Sequence, residues 1–220
     1  MADKPRVKAP KQRSTPKPDD PARTKRLLLY GLVSVGVVAA ILVLAALSLG
    51  GGDPSASDAR SALTDAGCTF KRADALPGDH SIADPGGTSR GWNTDPPTSG
   101  PHYGVATIFG IYEEPLEPAR VVHNLEHGGI FILYGDDVPK ATVDELRAFY
   151  GDHETGTVMA PLPKLGNQFA LGAWNADAEG GDAYLAKCEE FDEGAVSNFF
   201  RAFQFQGPER FEPSQLQPGL

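Results

Sequence analysis

The chain has 220 residues, which allow one domain of ordinary size with additional tails. Its first 26 residues carry nine Lys and Arg against three Asp, whereas the whole chain has a net charge of −9. The basic tail and the acidic remainder are therefore expected to face different surroundings. Because the tail has no aromatic side chains on which bases could stack, we expect no nucleic-acid partner.

A segment of 23 residues without a charged side chain, Leu27 to Leu49, follows the basic tail. As a helix it would reach roughly 34 Å, enough to cross a hydrocarbon core of about 30 Å. A cleaved signal peptide is the alternative, but its apolar region is typically only about 7–15 residues long. Arg23, Lys25 and Arg26 border the segment, and such residues stay preferentially on the cytoplasmic side. We therefore predict an uncleaved anchor with the rest of the chain outside the cytoplasm.

These features divide the chain into four predicted parts. Residues 1–26 are a disordered basic cytoplasmic tail, and residues 27–49 are a transmembrane helix. Residues 50–57 are a short linker, and residues 58–212 are an extracytoplasmic domain. The localisation predicted in this way is the cell membrane, with a single-pass integral topology.

The two cysteines, Cys68 and Cys188, both lie in the part predicted to be exported. Disulfides form and persist in such oxidising compartments. We therefore predict one disulfide that joins the start and the end of the domain. A metal-binding or redox-active pair is the alternative, but no Cys-x-x-Cys motif supports it.

The sequence of the first third of the predicted exported domain indicates little regular secondary structure. Residues 58–67, DARSALTDAG, indicate a short helix that ends at a glycine. The segment GWNTDPPTSGPHYG, Gly91 to Gly104, is too rich in Pro and Gly for a helix or a central strand. Because it carries Trp92, His102 and Tyr103, which need burial or hydrogen-bonding partners, we predict an ordered irregular loop.

A helical turn and a strand are predicted next. The turn runs from Pro118 to Gly128, and the apolar run IFILY that follows Gly129 is typical of a strand. Thr142 and Glu145 then have the spacing of a capping box, at the start of a helix that Gly151 ends.

Two further strands and a last helix complete the prediction. Residues 155–163 and 167–175 are the strands, and the prolines of the first place it at an edge of the sheet. A helix with aromatic residues at three- and four-residue spacing begins near Glu193. The fold class predicted is α+β, a small mixed β-sheet covered by helices, with a thioredoxin-like half as one interpretation. No thioredoxin-type active site accompanies it, so we expect no redox function from the fold.

The histidines are the residues most suited to chemistry. His123 and His127 are four residues apart, so a helical turn projects both from one face toward one metal ion. His102, in the rigid loop, is the predicted third ligand, and His80 is a candidate fourth. Three histidines suit zinc with an open position, or copper. The alternative is that these imidazoles only form hydrogen bonds to the backbone.

The same stretch, His123-Asn124-Leu125-Glu126-His127, matches the H-x-x-E-H pattern of a zinc peptidase family, in which the glutamate activates water. That pattern requires a long helix and a further acidic ligand. Here Gly128 and Gly129 end the helix at once, and nothing singles out Glu189 or Glu190 as the acid. A metal-dependent hydrolase with Glu126 as the catalytic candidate is therefore the less favoured hypothesis.

Several motifs together resemble domain-of-unknown-function family 3105, which is found in membrane-anchored and exported bacterial proteins. The resemblance covers most of residues 60–210. It rests on DPPTSGPHY (Asp95 to Tyr103), VVHNLEHGGIFILY (Val121 to Tyr134), the ALGAWN run ending at Asn175, Cys188 with the following Phe191-Asp192, and the preceding Cys68 and His80. It implies an extracytoplasmic domain and no particular activity.

We therefore predict a single-pass membrane protein whose exported domain binds copper or zinc through His102, His123 and His127. Glu126 would be the hydrogen-bonding partner of a ligand or a general base. The alternative is a non-catalytic binding or structural module of the cell envelope, in which the histidines are structural. In either case the expected partner is an envelope protein or a small ligand.

Overall fold

The computed structural model describes residues 53–80, 91–176 and 181–219. The predicted tail, the predicted transmembrane segment and the first residues of the predicted linker lie outside this range. Within it, no helix combines the length and the apolar character that a membrane crossing requires.

The described residues form one six-stranded mixed sheet and four α-helices. The predicted α+β class is confirmed, but the sheet has more strands than predicted. The helices are α1 (Ala56–Asp65), α2 (Pro118–Glu126), α3 (Lys140–Asp152) and α4 (Glu193–Phe203). The strands are β1 (Thr69–Asp74), β2 (Gly110–Ile111), β3 (Ile130–Tyr134), β4 (Thr157–Pro161), β5 (Phe169–Asn175) and β6 (Asp182–Cys188). Short 3₁₀ turns occur at Pro163–Leu165 and Pro213–Gln215.

The strand order in the sheet is β1-β6-β5-β3-β4-β2. Strand β4 pairs in parallel with both β3 and β2, whereas the β3–β5, β5–β6 and β6–β1 pairs are antiparallel. Parallel neighbours need a long crossover connection, which α3 supplies between β3 and β4. Strands β5 and β6 follow one another along the chain and pair directly.

The prediction that the first of the two later strands lies at an edge is wrong. Strand β4 pairs with β3 along its whole length and with Gly110–Ile111 on its other side. Pro161, its last residue, faces Tyr134, so the missing N–H falls where the ladder ends. Strands β1, β2 and β6 were not predicted.

Helix starts also differ from the prediction. Helix α3 begins at Lys140, directly after the extended Pro139, and no side chain caps it, so the predicted Thr142–Glu145 capping box is wrong. A capping box does occur at α1, where Ser55 and Asp58 bond each other's backbone N–H groups. This cap starts α1 inside the predicted linker, two residues before the predicted helix.

The sheet separates two apolar cores. Because side chains alternate along a strand, β3 sends Ile130 and Ile132 into one core and Phe131 and Leu133 into the other. The first core is covered by α1, α3 and the aromatic face of α4. The second is covered by α2, through Val121, Val122 and Leu125. Helix α2, which carries the predicted site residues His123 and Glu126 and is followed directly by His127, therefore rests on the β3 side chains.

The predicted disulfide is present between Cys68 and Cys188, which are 120 positions apart. Cys68 directly precedes β1, and Cys188 is the last residue of β6. These strands are antiparallel neighbours, with Thr69 opposite Lys187, so their ends meet. The bond thus ties the start of the domain to its last strand.

Candidate metal centre

Helix α2 presents the central residues of the site. Pro118 occupies its first turn, where the missing N–H has no cost, and the chain leaves the helix through Gly128, at a φ of +90°. The apolar residues of α2 face the second core, and His123 and Glu126, which are also buried, contribute to a group of His and Glu side chains. The prediction that the glycine pair ends the helix is confirmed.

The Pro-rich loop holds His102 against this helix. The loop is ordered, as predicted: the Trp92 indole donates to the Pro101 carbonyl at 3.0 Å, and Ser99 Oγ accepts from the Leu76 N–H at 3.0 Å. The His102 N–H donates to the Asp79 carbonyl at 2.8 Å, which brings the neighbouring His80 to the same place. The side chain of His102 has no exposed surface.

Two histidines contact the carboxylate of Glu126, and a third, His123, lies beside them. Glu126 Oε2 lies 3.0 Å from His102 Nε2 and 3.1 Å from His80 Nε2. The ring centroids of His80, His102 and His123 are 4.7–4.9 Å apart. One ligand atom from each of the three histidines and from Glu126 lies within 4.8 Å of all the others, so the group could hold a metal ion.

Two of these imidazoles are oriented by backbone carbonyls. His102 Nδ1 lies 2.7 Å from the Gly100 carbonyl oxygen, and His123 Nδ1 lies 2.6 Å from that of Tyr103. A carbonyl only accepts, so each Nδ1 carries the proton, and in the neutral ring Nε2 keeps its lone pair. Metal-binding histidines are typically held by this kind of bond.

The pKa shifts in the cluster reflect burial and mutual contact. Burial raises the pKa of Glu126, but hydrogen bonds from His102 and His80 outweigh it and lower the value to about 2. Burial lowers the pKa of His102, yet its bonds to Glu126 and Gly100 leave that pKa raised. Burial dominates at His123 and lowers its pKa. Glu126 is therefore a carboxylate, the form of this side chain that can serve as a metal ligand.

His127 stands beside this cluster in a second group. Its Nε2 is 3.0 Å from His123 Nε2 and 3.3 Å from Glu209 Oε2, and its ring stacks on Phe211 with centroids 4.1 Å apart. Ligand atoms of Glu126, His127 and Glu209 also lie within 4.8 Å of one another. The structure thus brings His80 and Glu126 together with His102 and His123, and places His127 next to them.

The remaining candidates lie elsewhere. His153 Nδ1 donates to the Phe149 carbonyl at 2.9 Å, and its ring lies on the Phe149 ring. Met159, whose thioether could be a soft copper ligand, is buried in the first core. Glu189 and Glu190 are exposed after β6. None of these residues belongs to either His/Glu group of the described chain. Glu209 was not predicted, because no local pattern marks it.

Residues 87–215 match the family described as "Protein of unknown function (DUF3105)". The match covers more than half of the 220 residues. The chain belongs to the DUF3105 family. The predicted family is thereby confirmed, and the matched range contains both histidine motifs. No curated protein and no solved structure matches the chain significantly.

In this DUF3105 chain the backbone of Gly78 lies close to the Glu126 carboxylate. A Cβ added at Gly78 would collide with Glu126 Oε1 and press on the Trp174 ring. Gly78 therefore leaves the space in which the Glu126 carboxylate lies between the second core and His80. Gly78 and His80 both precede the matched range, so the site extends beyond the part of the chain that the family match covers.

The donor set suits a transition-metal ion of intermediate softness, such as zinc or divalent copper. Ligands about 2.0–2.1 Å from a tetrahedral zinc ion lie about 3.3–3.4 Å apart, close to the 3.0 and 3.1 Å separations around Glu126. Imidazole nitrogens with one carboxylate oxygen are ligands for zinc and for copper. Within the described chain no thiol competes, because both cysteines form the disulfide.

Proposed function

We propose that the protein is a metal-binding domain of the cell envelope, anchored to the membrane by a single span. The ligands of the metal are His80, His102, His123 and Glu126, and His127 stands next to them. The observation that carries the proposal is the orientation of His102 and His123. Each donates Nδ1–H to a backbone carbonyl and turns Nε2 toward the shared centre.

The donor chemistry favours zinc or divalent copper. Monovalent copper prefers thiolate and thioether sulfur, whereas the sulfur atoms of Cys68, Cys188 and Met159 all lie outside the cluster. Calcium and magnesium prefer oxygen ligands, and this cluster supplies one carboxylate among three imidazoles. The four donors match the number that a closed zinc site uses.

The test is metal retention by the detergent-solubilised full chain. The protein is stripped with a chelator, loaded with Zn²⁺ or Cu²⁺ and dialysed. It should retain metal, which elemental analysis measures. His102→Ala and His123→Ala should each weaken binding by at least about 100-fold, more than the loss of a supporting residue costs. His153→Ala is the matched control and should bind like the wild type. The proposal fails if the wild type retains no metal, or if the control loses as much as the ligand variants.

Thermal melting separates this proposal from purely structural histidines. A ligand that binds only the folded state stabilises it, by about 2.7 kcal/mol at one hundred times its dissociation constant. Zn²⁺ or Cu²⁺ should therefore raise the melting temperature of the wild type clearly more than that of His102→Ala. Equal melting temperatures with metal and with chelator, in both proteins, would favour the structural alternative.

The membrane anchor is proposed from the sequence and supported by the disulfide. The uncharged 23-residue segment follows a basic tail. The Cys68–Cys188 bond is of the kind that persists outside the cytoplasm. In bacterial spheroplasts, a carboxy-terminal epitope tag should be accessible to antibody and an amino-terminal tag protected, with the protein resistant to alkaline extraction. The reverse pattern, or release into the soluble fraction, would exclude this topology.

We propose an envelope protein or a small ligand as the partner. With the anchor in this orientation, the partner would meet the domain outside the cytoplasm.

We also infer that β3 to α4 form a thioredoxin-like half. The support is a parallel β3–α3–β4 unit followed by the antiparallel β5–β6 pair and α4, with strand order β4-β3-β5-β6. An experimental structure with a different strand order would contradict this inference.

A further inference from the structure

We propose that the centre binds two metal ions, the second held by His127 and Glu209 and joined to the first by the carboxylate of Glu126. This inference rests on the proposed function, because it adds an ion to the same site. In two-metal sites the ions are about 3.5–4 Å apart, close enough to share a ligand. Glu126 belongs to both groups of ligand atoms, each of which lies within 4.8 Å.

Glu209 is fixed to the end of α2 by backbone contacts. Its N–H donates to the Glu126 carbonyl at 2.9 Å, and the Phe205 N–H donates to the Gly128 carbonyl at 2.7 Å. Gly207 packs so closely on Gly128 that an added Cβ would collide with its backbone. The segment after α4 therefore holds the Glu209 carboxylate beside His127, although that side chain is about half exposed.

The polar contacts of His127 point to a cation. His123 Nδ1 donates to Tyr103, so the neutral His123 ring presents an acceptor at Nε2. Glu209 Oε2 is a second acceptor, and both face His127 Nε2, at 3.0 and 3.3 Å. A single N–H on that nitrogen is best aligned with one acceptor at a time. A cation beside His127 would instead attract its Nε2 lone pair and the Glu209 carboxylate, and the His123 lone pair would then serve the first ion. The Phe211 ring keeps the His127 imidazole in place.

The second ion would face open space on one side. His127 and Phe211 line a recess of about 370 Å³, whose apolar wall includes Ile108 and Phe109. His127, Glu209 and the shared Glu126 supply three protein ligands, one fewer than a closed zinc site has. Water or an external ligand would fill the remaining position. The first ion, surrounded by four donors of which three are buried, would be the structural one.

The experiment is the stoichiometry of Zn²⁺ bound by the detergent-solubilised full chain. The stripped protein is titrated calorimetrically with Zn²⁺, and the ion retained after dialysis is counted by elemental analysis. We expect about two Zn²⁺ per wild-type chain and about one per Glu209→Gln chain. Glu190→Gln, which changes an exposed carboxylate outside both groups, is the matched control and should keep two. Glu209→Gln retains the backbone bond to Glu126, and circular dichroism verifies that it is folded.

The outcomes distinguish this inference from the proposed function. One Zn²⁺ in both the wild type and Glu209→Gln would support the first site and overturn the second. No Zn²⁺ in the wild type would overturn both. Two ions in the wild type and in Glu209→Gln would show that Glu209 is not a ligand and would overturn the inference as stated. A loss of one ion in Glu190→Gln as well would assign the second ion to nonspecific surface binding and would also overturn it.

Discussion

The double variant Cys68→Ser, Cys188→Ser is expected to have a free energy of unfolding about 4–5 kcal/mol below that of the oxidised wild type. The disulfide closes a loop with a sequence separation of 120. In the chain-entropy description, cross-linking a loop of this length removes conformations from the unfolded chain and stabilises the fold by about that amount. Small domains are stable by only about 5–15 kcal/mol, so the variant should be close to unfolding at ambient temperature.

Urea unfolding followed by circular dichroism measures this effect. A reducing agent should lower the midpoint of the wild type to that of the double variant and leave the variant itself unchanged. Ser at both positions also loses part of the packing of two buried sulfur atoms in the first core, so the two shifts agree only approximately. A loss below about 1 kcal/mol would refute the assignment of this stabilisation to the cross-link.

Phe131→Ala is expected to destabilise the domain by about 3–5 kcal/mol. Phe131 is fully buried on β3, in the core that supports α2 through Val122 and Leu125. Removing the ring leaves a cavity directly beneath the helix that carries His123 and Glu126. We therefore expect weaker binding at the proposed metal site as well, although none of its proposed ligands is changed.

Gly172 provides a sharper form of this test. It faces Phe131 across the β3–β5 pair, and an added Cβ would overlap the Phe131 ring. Gly172→Ala alone should cost about 1–3 kcal/mol, the usual cost of overpacking. In the Phe131→Ala variant, the added methyl group enters the space that the ring occupied. Gly172→Ala should therefore lower the free energy of unfolding of this variant much less than that of the wild type, or raise it. Strictly additive effects in this double-mutant cycle, measured by urea unfolding, would contradict the packing described.

The elements that could be predicted are those whose signals are local. Apolar periodicity marked α4, and the glycine pair marked the end of α2 and the start of β3. Strand β6, DAYLAKC, contains Ala and Lys, which have weak strand preference. It forms because β1 and β5 pair with it on both sides, and nothing in its own residues records those partners. Strand β2 has only two residues and exists through its pairing with β4.

The candidate site likewise contains residues that the sequence predicts and residues that it does not. The helical spacing of His123 and His127 and the rigid surroundings of His102 are local features of the sequence, and together they predict a common centre. Glu209 joins this centre through a backbone bond between two distant segments, which no spacing predicts. Long-range contacts also decide that Glu126 lies among the histidines, since its carboxylate fits there only because Gly78 has no side chain.

The position of the disulfide has a mechanical consequence. Strand β1 is one of the two edge strands of the sheet, and the chain enters it directly after Cys68. Tension applied to the amino-terminal end of the domain acts first on α1 and then on Cys68, from which it passes through the disulfide to β6, an inner strand. The hydrogen bonds between β1 and β6 therefore do not break one after another under this force. Beyond α1, a covalent bond to an inner strand therefore bears the pulling force, and the outermost strand does not bear it alone.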